Sequence, residues 1–532
     1  MNTLTFDGLT LPTNVETIKK TRGGYVLRGR QVHLGLQENP YRYYRHGWQS
    51  WSLTAWTDPG DHIPIQKPHR LHPLQTDPVY SFHSTPNGSW LGAVELADGQ
   101  VLLLGALGLE THVALHGQEL HGWYESGGGE WYVGYGEEAT VFERYTELLG
   151  ERLGQAHNRP SPRVWCSWYS LYSAIDAPLL LRVFNELEDL PFDVLQVDDG
   201  WQIAVGDWEP NEKFPDGMQA LADHIRATGR KAGLWLAPLL VVPTSRLFQD
   251  HRDWLLRDED GGYARAGFLW GEPLYALDTS LPAVLDWLEV LMMKVRDWGY
   301  DYAKLDFLFA GALPGKRHAD IPREAAYRQG LQAMRKGLGP DTYLLACGAP
   351  VLPSLGVCDA LRAGPDVSGS WELYRDTALL QNPSTPGVKN AVRTTVNRLW
   401  LKPLIAVDPD VAYFTRRYNS LSAKHKRLLQ DLALVCEFKA TSDLPPWLTE
   451  DEREELRTFL EAIPKVTRTG RYTFRLDDRE VDFSSAMPTA TQPRGFVALA
   501  SATLGWLGNQ DWAMRLLHRL AKHALERRKK EL

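Results

Sequence analysis

The stretch Gly299-Tyr-Asp-Tyr-Ala-Lys-Leu-Asp-Phe307 decides the fold. Its run of aromatic and apolar residues is broken by Lys304 and Asp306, which lie two apart. Alternation along a strand puts both on the same face. Residues 281–298, just before it, carry apolar residues at helical spacing. Helix, short turn and strand make half of a βα repeat. A carboxylate at the C-terminal end of such a strand sits where barrel enzymes keep their chemistry. On its own, Asp306 reads equally well as a strand-end residue capping the next loop.

Working outward, apolar runs of strand length alternate with long helical segments from Arg163 onward. The strand candidates are 164–170, 194–199, 232–237, 302–307, 343–347, 360–363, 404–407 and 432–438. Eight such units fit a (β/α)8 barrel, which takes about 250 residues. The apolar stretch Leu274-Tyr-Ala-Leu277 is assigned to the connection between the third and fourth strands, with Asp278-Thr-Ser capping the following helix.

Before the barrel, short β-type runs are separated by Gly, Asn and Asp turns. They begin at Gly24, Val79, Trp90, Val101 and Trp131, and their spacing predicts an antiparallel sandwich. Within it lies His46-Gly-Trp-Gln-Ser-Trp-Ser52, where a packed corner accounts for at least one tryptophan. Residues 141–153 read as a connecting helix. After about Pro446 come a helix over 450–462, then β-type runs at 471–475, 481–483 and 496–499, and a final helix carrying Leu516, Leu517, Leu520 and Leu525. The expected layout is an N-terminal β-sandwich over 1–155, a catalytic barrel over 156–446, and a small C-terminal β domain with a terminal helix over 447–532.

The chain has 532 residues and a net charge of −8. That length predicts roughly three domains. The acidic balance argues against a nucleic-acid partner. The basic cluster from Arg515 to Lys530 follows an amphipathic helix and reads as a solvated face. Cys166, Cys347, Cys358 and Cys436 have no metal-type spacing and suit buried thiols in a reducing compartment. The N-terminus lacks a signal-peptide pattern and no window has membrane-spanning length, so a cytoplasmic protein without a membrane partner is expected.

Polar motifs recur where the barrel strands run out: Asp198-Asp199, Trp235, Lys304 with Asp306, Cys347-Gly348, Arg362 with Asp366, Asp408-Pro-Asp410 and Asp443. A single Asp there would be a helix cap; strand after strand ending this way on one rim argues for a site. Three chemistries could use it. Two carboxylates about 5 Å apart serve a retaining glycosidase. Lys304 could form a Schiff base, although nearby carboxylates would raise a pKa that this role needs depressed. Several Asp could hold a divalent cation, a reading weakened by the tryptophans and by the fixed charge of Lys304. Lys304 and Arg362 instead favour the glycosidase, because they support an ionised nucleophile and can bond sugar hydroxyls. The abundant Trp and Tyr suit the C–H faces of sugar rings, although most of them must be core.

In order and spacing, Val197-Asp-Asp-Gly-Trp201, Lys304-Leu-Asp306, Arg362 with Asp366, and Asp408-Pro-Asp410 resemble the motif set of glycoside hydrolase family 36. The resemblance spans the whole barrel and includes the Gly-Trp-Gln-Ser-Trp-Ser stretch and a C-terminal β domain. It implies a retaining α-galactosidase acting on short oligosaccharides of the melibiose or raffinose type, with no cofactor and no metal. It implies Asp306 as nucleophile and Asp366 as acid/base. Asp198 and Asp199 would bind the O4 and O6 side of galactose, and Lys304 and Arg362 the O2 and O3 side. Trp235 and Tyr169 would line the pocket, Cys347 and Gly348 would lie near O2, and Trp48 or Trp51 would reach in from the sandwich. The chain departs from the pattern in its shortness, so the tetramer of longer members is not assumed and a homo-oligomer stays open. It also has Lys-Leu-Asp where those members have Lys-Trp-Asp. The family includes α-N-acetylgalactosaminidases and galactosyl-transferring enzymes, which the motifs do not separate. A non-catalytic carbohydrate-binding protein on the same fold is the alternative of another class, disfavoured by the presence of both Asp306 and Asp366.

Overall fold

The computed structural model describes residues 2–61, 76–80, 85–155, 159–372, 382–488 and 495–529. At its centre eight short strands run parallel in one curled sheet, consistent with a (β/α)8 barrel. In chain order they are Arg163–Cys166, Val194–Val197, Lys231–Leu236, Tyr300–Leu305, Tyr343–Ala346, Ala360–Arg362, Ala406–Asp408 and Lys439–Thr441. Hydrogen bonds link each of the first seven strands except the last to its successor, and the first also pairs with the eighth. At the seam, Ala412 donates its backbone N–H to Ala440 of the eighth strand at 2.8 Å. Strand interiors such as Val194–Val197 and Tyr343–Ala346 are buried throughout. That is why they read as continuous apolar runs rather than as alternation.

The eighth strand corrects the sequence-based expectation. Residues 432–436 belong to the helix Ala423–Cys436, which Ser422 caps by accepting from the His425 N–H at 3.2 Å. Leu428, Leu429, Leu432, Ala433, Val435 and Cys436 are all buried, so the apolar run is a helix covered on several sides. Glu437, at φ 59°, turns the chain, and the strand starts only at Lys439. The cap assigned to Asp278 is also corrected. The helix begins at Pro282, with Leu281 in the capping position and proline in its first turn. Asp278 instead accepts from the Ser280 N–H at 3.0 Å and the His318 N–H at 2.7 Å. The stretch ending at Leu277 lies outside the barrel, as expected. Glu272–Ala276 pairs with Arg265–Leu269 in a separate three-stranded sheet.

Two antiparallel sheets, of six and seven strands, precede the barrel. They share an apolar core that includes Val32, Leu34 and Leu120 from one sheet and Leu27, Val94, Leu102, Leu104 and Trp131 from the other. The β-type run at 79–82 is a 3-10 turn at Pro78–Tyr80, and its last two residues lie outside the described residues. The helix Glu138–Leu153 connects to the barrel. Beyond it, the helix Glu450–Glu461 leads into a three-stranded antiparallel sheet, Val466–Arg468, Thr473–Leu476 and Arg479–Asp482. Residues 496–499 form no strand there; they open the helix Gly495–Gly508, and Asp511–Lys529 follows as a second helix. Among the described residues no helix is long and apolar enough to cross a membrane.

Candidate active site

Asp306 follows the fourth strand directly, and its N–H donates to Leu236 of the third at 2.8 Å. Its carboxylate accepts from the Trp235 indole N–H at 3.0 Å and from the Phe307 N–H at 2.8 Å. Phe307 can supply that N–H because it sits at φ 54°, turning the chain immediately past Asp306. Two directional donors fix both oxygens of a residue that is only 8% exposed.

Lys304 points to the same side, as alternation requires, and its ammonium meets Asp198 Oδ2 at 2.8 Å. Burial pulls the lysine pKa down, but the Asp198 carboxylate outweighs it and holds the group well above the ordinary lysine range. A lysine held ionised in this way is the opposite of what Schiff-base formation needs. Asp198 is already crowded: Gln196 Nε2 donates to Oδ2 at 2.6 Å and the Asp199 N–H to Oδ1 at 2.9 Å. Asp199 accepts one bond on each oxygen, from Gln202 Nε2 at 2.6 Å and from the Trp270 indole N–H at 2.7 Å. Burial raises the Asp199 pKa, with Asp198 adding to it and the two donors opposing.

On the opposite side, Arg362 ends the sixth strand in a nest of carboxylates. Its Nε meets Asp408 at 2.8 Å, and its Nη1 lies 2.9 Å from Asp410 and 3.2 Å from Asp366. The Tyr169 hydroxyl donates to Asp410, and the Val367 N–H to the same carboxylate oxygen at 2.9 Å. Asp408 and Asp410 are sealed, whereas Asp366 keeps 34% of its side chain open. Burial, reinforced by the charge of Asp410, pushes the Asp366 carboxyl up to about 7 against the pull of Arg362. The rim thus sets six carboxyl groups, from Asp198, Asp199, Asp306, Asp366, Asp408 and Asp410, against the two cations Lys304 and Arg362. A proton retained on the most open carboxyl relieves that excess of negative charge.

Cys347 and Gly348 follow the fifth strand, with Cys347 buried and its thiol pushed well up by that burial. Gly348 has φ +55°, and a Cβ there would stand 3.0 Å from the Trp51 ring and 3.1 Å from the Phe307 backbone. Trp51 therefore reaches the rim from the N-terminal sheets, packing edge-on to Phe307 with centroids 5.2 Å apart. Its indole N–H is buried and has no partner among the described residues. Trp48 does not join this cluster. It is 1% exposed, and its N–H donates at 3.1 Å to Glu324, a fully buried carboxyl that also accepts from the Trp90 indole at 3.0 Å and the Glu110 N–H at 2.7 Å. On the Asp366 side the rim opens into a cavity of about 740 Å³, lined by Trp168, Tyr169, Tyr172, Ser368 and Tyr418.

Sequence reasoning named Asp408 and Asp410 only as part of a motif, and the structure makes them the seat of Arg362. It missed Gln202 and Trp270. Trp270 occupies the tip of the hairpin between Arg265–Leu269 and Glu272–Ala276, at φ 55° with Gly271 at φ 81°. The Trp-Gly pair in a hairpin turn was the available signal.

A family model described as Melibiase matches residues 133–334. An α-galactosidase from Thermus thermophilus, solved with p-nitrophenyl α-D-galactopyranoside, is 45% identical and superposes with a TM-score of 0.87, covering 91% of this chain and 99% of its own. The α-galactosidase of Escherichia coli is 26% identical over 174 residues, 30% of this chain and 24% of its own length. The α-galactosidase AgaA of Geobacillus stearothermophilus is 27% identical over 203 residues, 35% of this chain and 27% of its length. The matched stretches thus span only a minor part of these two longer relatives. The structure of AgaA, a member of glycoside hydrolase family 36, superposes with a TM-score of 0.57 at 15% identity, covering 82% of this chain and 65% of its own, a likeness of fold.

Proposed function

This chain belongs to the α-galactosidases of glycoside hydrolase family 36, and from that premise we propose that it removes terminal α-linked galactose from short oligosaccharides by a retaining double displacement. The observation that carries this reading is the contrast between two carboxyl groups on one rim. Asp306 has both oxygens held by N–H donors, whereas Asp366 is partly open and retains a proton to about pH 7.

In the first step an Asp306 oxygen attacks the anomeric carbon while Asp366 gives its proton to the departing glycosidic oxygen. The new bond is an ester between the galactosyl carbon and Asp306. In the second step Asp366, now a carboxylate, takes a proton from water. The water oxygen displaces Asp306 and restores the starting configuration. Both carboxyl groups end as they began.

Asp199 suits the galactose hydroxyls better than Asp198. A carboxylate offers about four acceptor sites, and Asp199 has filled one on each oxygen, while Asp198 is engaged by Lys304, Gln196 and the Asp199 N–H. Asp198 chiefly holds Lys304 in place, leaving the ammonium's remaining donors for the sugar. Trp51 brings one more N–H donor, and the cavity beside Asp366 gives the departing sugar room. The Thermus thermophilus relative has been solved in complex with stachyose, which supports an oligosaccharide ligand here.

The test is hydrolysis of an aryl α-galactoside, followed by NMR of the sugar first released. Galactose appearing as the α-anomer is expected. Initial release of the β-anomer, or no hydrolysis, would contradict the proposal.

A further inference from the structure

Arg398 lies two residues beyond the helix Val388–Val396 and is completely buried. Its guanidinium forms no ion pair among the described residues; it faces backbone carbonyls instead. Nη1 donates to Ser50 O, and to Ala363 O at 2.9 Å. Nη2 donates to Gly47 O at 2.9 Å, Gln49 O at 2.9 Å and Ser52 O at 3.2 Å. Burying a cation without a carboxylate is costly, and burial accordingly lowers the Arg398 pKa to about 9. Such a group in the middle of a domain junction calls for a function that an apolar side chain could not perform.

Four of the five acceptors belong to the loop that carries Trp51. The fifth, Ala363, adjoins Arg362, whose guanidinium touches Asp366. The same loop is stitched to the end of the fifth strand. The Ser50 N–H donates to Ala349 O at 3.1 Å, the Ala349 N–H to Ser50 Oγ at 3.1 Å, and the Val351 N–H to Trp48 O at 3.1 Å. One guanidinium therefore fixes the distance between the Trp51 loop and the strand end bearing Arg362. Trp51 itself is 8% exposed; Cη2 of its ring faces Gly348, the ring packs edge-on to Phe307, and its indole N–H is unpartnered among the described residues.

We propose that Arg398 is a positioning residue for galactoside binding: by gathering the carbonyls of residues 47–52 it aims the Trp51 indole N–H at a sugar hydroxyl. This rests on the galactosidase reading of the site. The planar guanidinium spreads its donors over five oxygens in a geometry an ammonium cannot reproduce.

The test compares Arg398→Met, Arg398→Lys, Trp51→Phe and the double variant Arg398→Met/Trp51→Phe. Each is followed by kcat and KM on an aryl α-galactoside and by galactose titration of tryptophan fluorescence. One lost hydrogen bond to the sugar corresponds to about a tenfold weakening. Arg398→Met and Trp51→Phe should each raise KM and the galactose Kd by about that factor, with a smaller change in kcat. Because both act through one N–H, the double variant should match Trp51→Phe rather than multiply the two effects. Arg398→Lys should fall between wild type and Arg398→Met. Multiplicative effects, or wild-type KM in Arg398→Met, overturn the proposal. Should Arg398→Met not fold, Arg398→Lys takes its place, alone and combined with Trp51→Phe; multiplicative effects or a wild-type KM there overturn the proposal equally. Wild-type protein that neither binds galactose nor turns over the galactoside would overturn the functional reading and this proposal together, whereas an active wild type with an indifferent Arg398 overturns this proposal alone.

Discussion

Asp366 and Asp410 share one guanidinium nitrogen: Arg362 Nη1 stands 3.2 Å from the first carboxyl and 2.9 Å from the second. The charge of Asp410 works with burial to hold a proton on Asp366 up to about pH 7, while Arg362 opposes it. A general acid must be protonated, so kcat/KM should fall as pH rises through about 7. Asp410→Asn removes a raising influence and should move that limb to lower pH. Asp366→Asn should erase the limb and cost roughly 10² to 10⁴-fold on raffinose. The stability sign follows from the same shift. The folded pKa lies above the unfolded 3.8, so the Asp366 contribution is complete below about pH 4, declines as pH rises, and is gone above about 7. Asp366→Asn should flatten that slope in denaturant titrations across the window.

In the proposed site, sugar choice falls to Asp199. With the Gln202 and Trp270 bonds in place, its remaining acceptor sites suit the axial O4 and the adjacent O6 of galactose. A site built to bond a hydroxyl rejects an analogue lacking it by roughly 10⁴-fold. An aryl α-glucoside should therefore be a very poor substrate, and Asp199→Ala should lose galactoside turnover while narrowing the preference. Measuring kcat/KM on matched galactoside and glucoside checks this; comparable wild-type values for the two sugars would refute it.

Gly348→Ala places a methyl group against the Trp51 ring and the Phe307 backbone, in a left-handed conformation. Strain of this kind costs about 1 to 3 kcal/mol. The urea midpoint should fall, and KM should rise if Trp51 meets the sugar as proposed. An unchanged KM would mean that Trp51 has no part in binding.

The two tryptophans of one loop should separate cleanly. Trp48→Phe deprives Glu324 of one of three N–H donors and should destabilise the fold by about 1 to 3 kcal/mol while leaving kcat/KM near wild type. A large loss of activity at constant stability would reverse this assignment.

The barrel was legible because buried parallel strands are short apolar runs between helices, and because Lys304 and Asp306 fall two apart on one strand. Its last strand was not, since a helix buried on several sides around Leu432 shows no clear period. Asp198, Asp199, Asp306, Arg362 and Asp366 stood at strand ends, where position alone suggests a rim. Trp270 meets Asp199 only through the fold of a hairpin 71 residues away, and Arg398 is an ordinary arginine until four loop carbonyls from the other end of the chain converge on it. Spacing in sequence carries no trace of contacts that depend on how the N-terminal sheets pack against the barrel.

The proposed double displacement passes through a covalent bond to Asp306. A slow, mechanism-based galactosyl donor should leave one galactosyl unit on the enzyme, and peptide mapping by mass spectrometry should place it on Asp306, with Asp306→Ala unlabelled and inactive. A label on Asp366, Asp199 or any other carboxylate, or an enzyme that turns over without ever carrying a label, would contradict this mechanism.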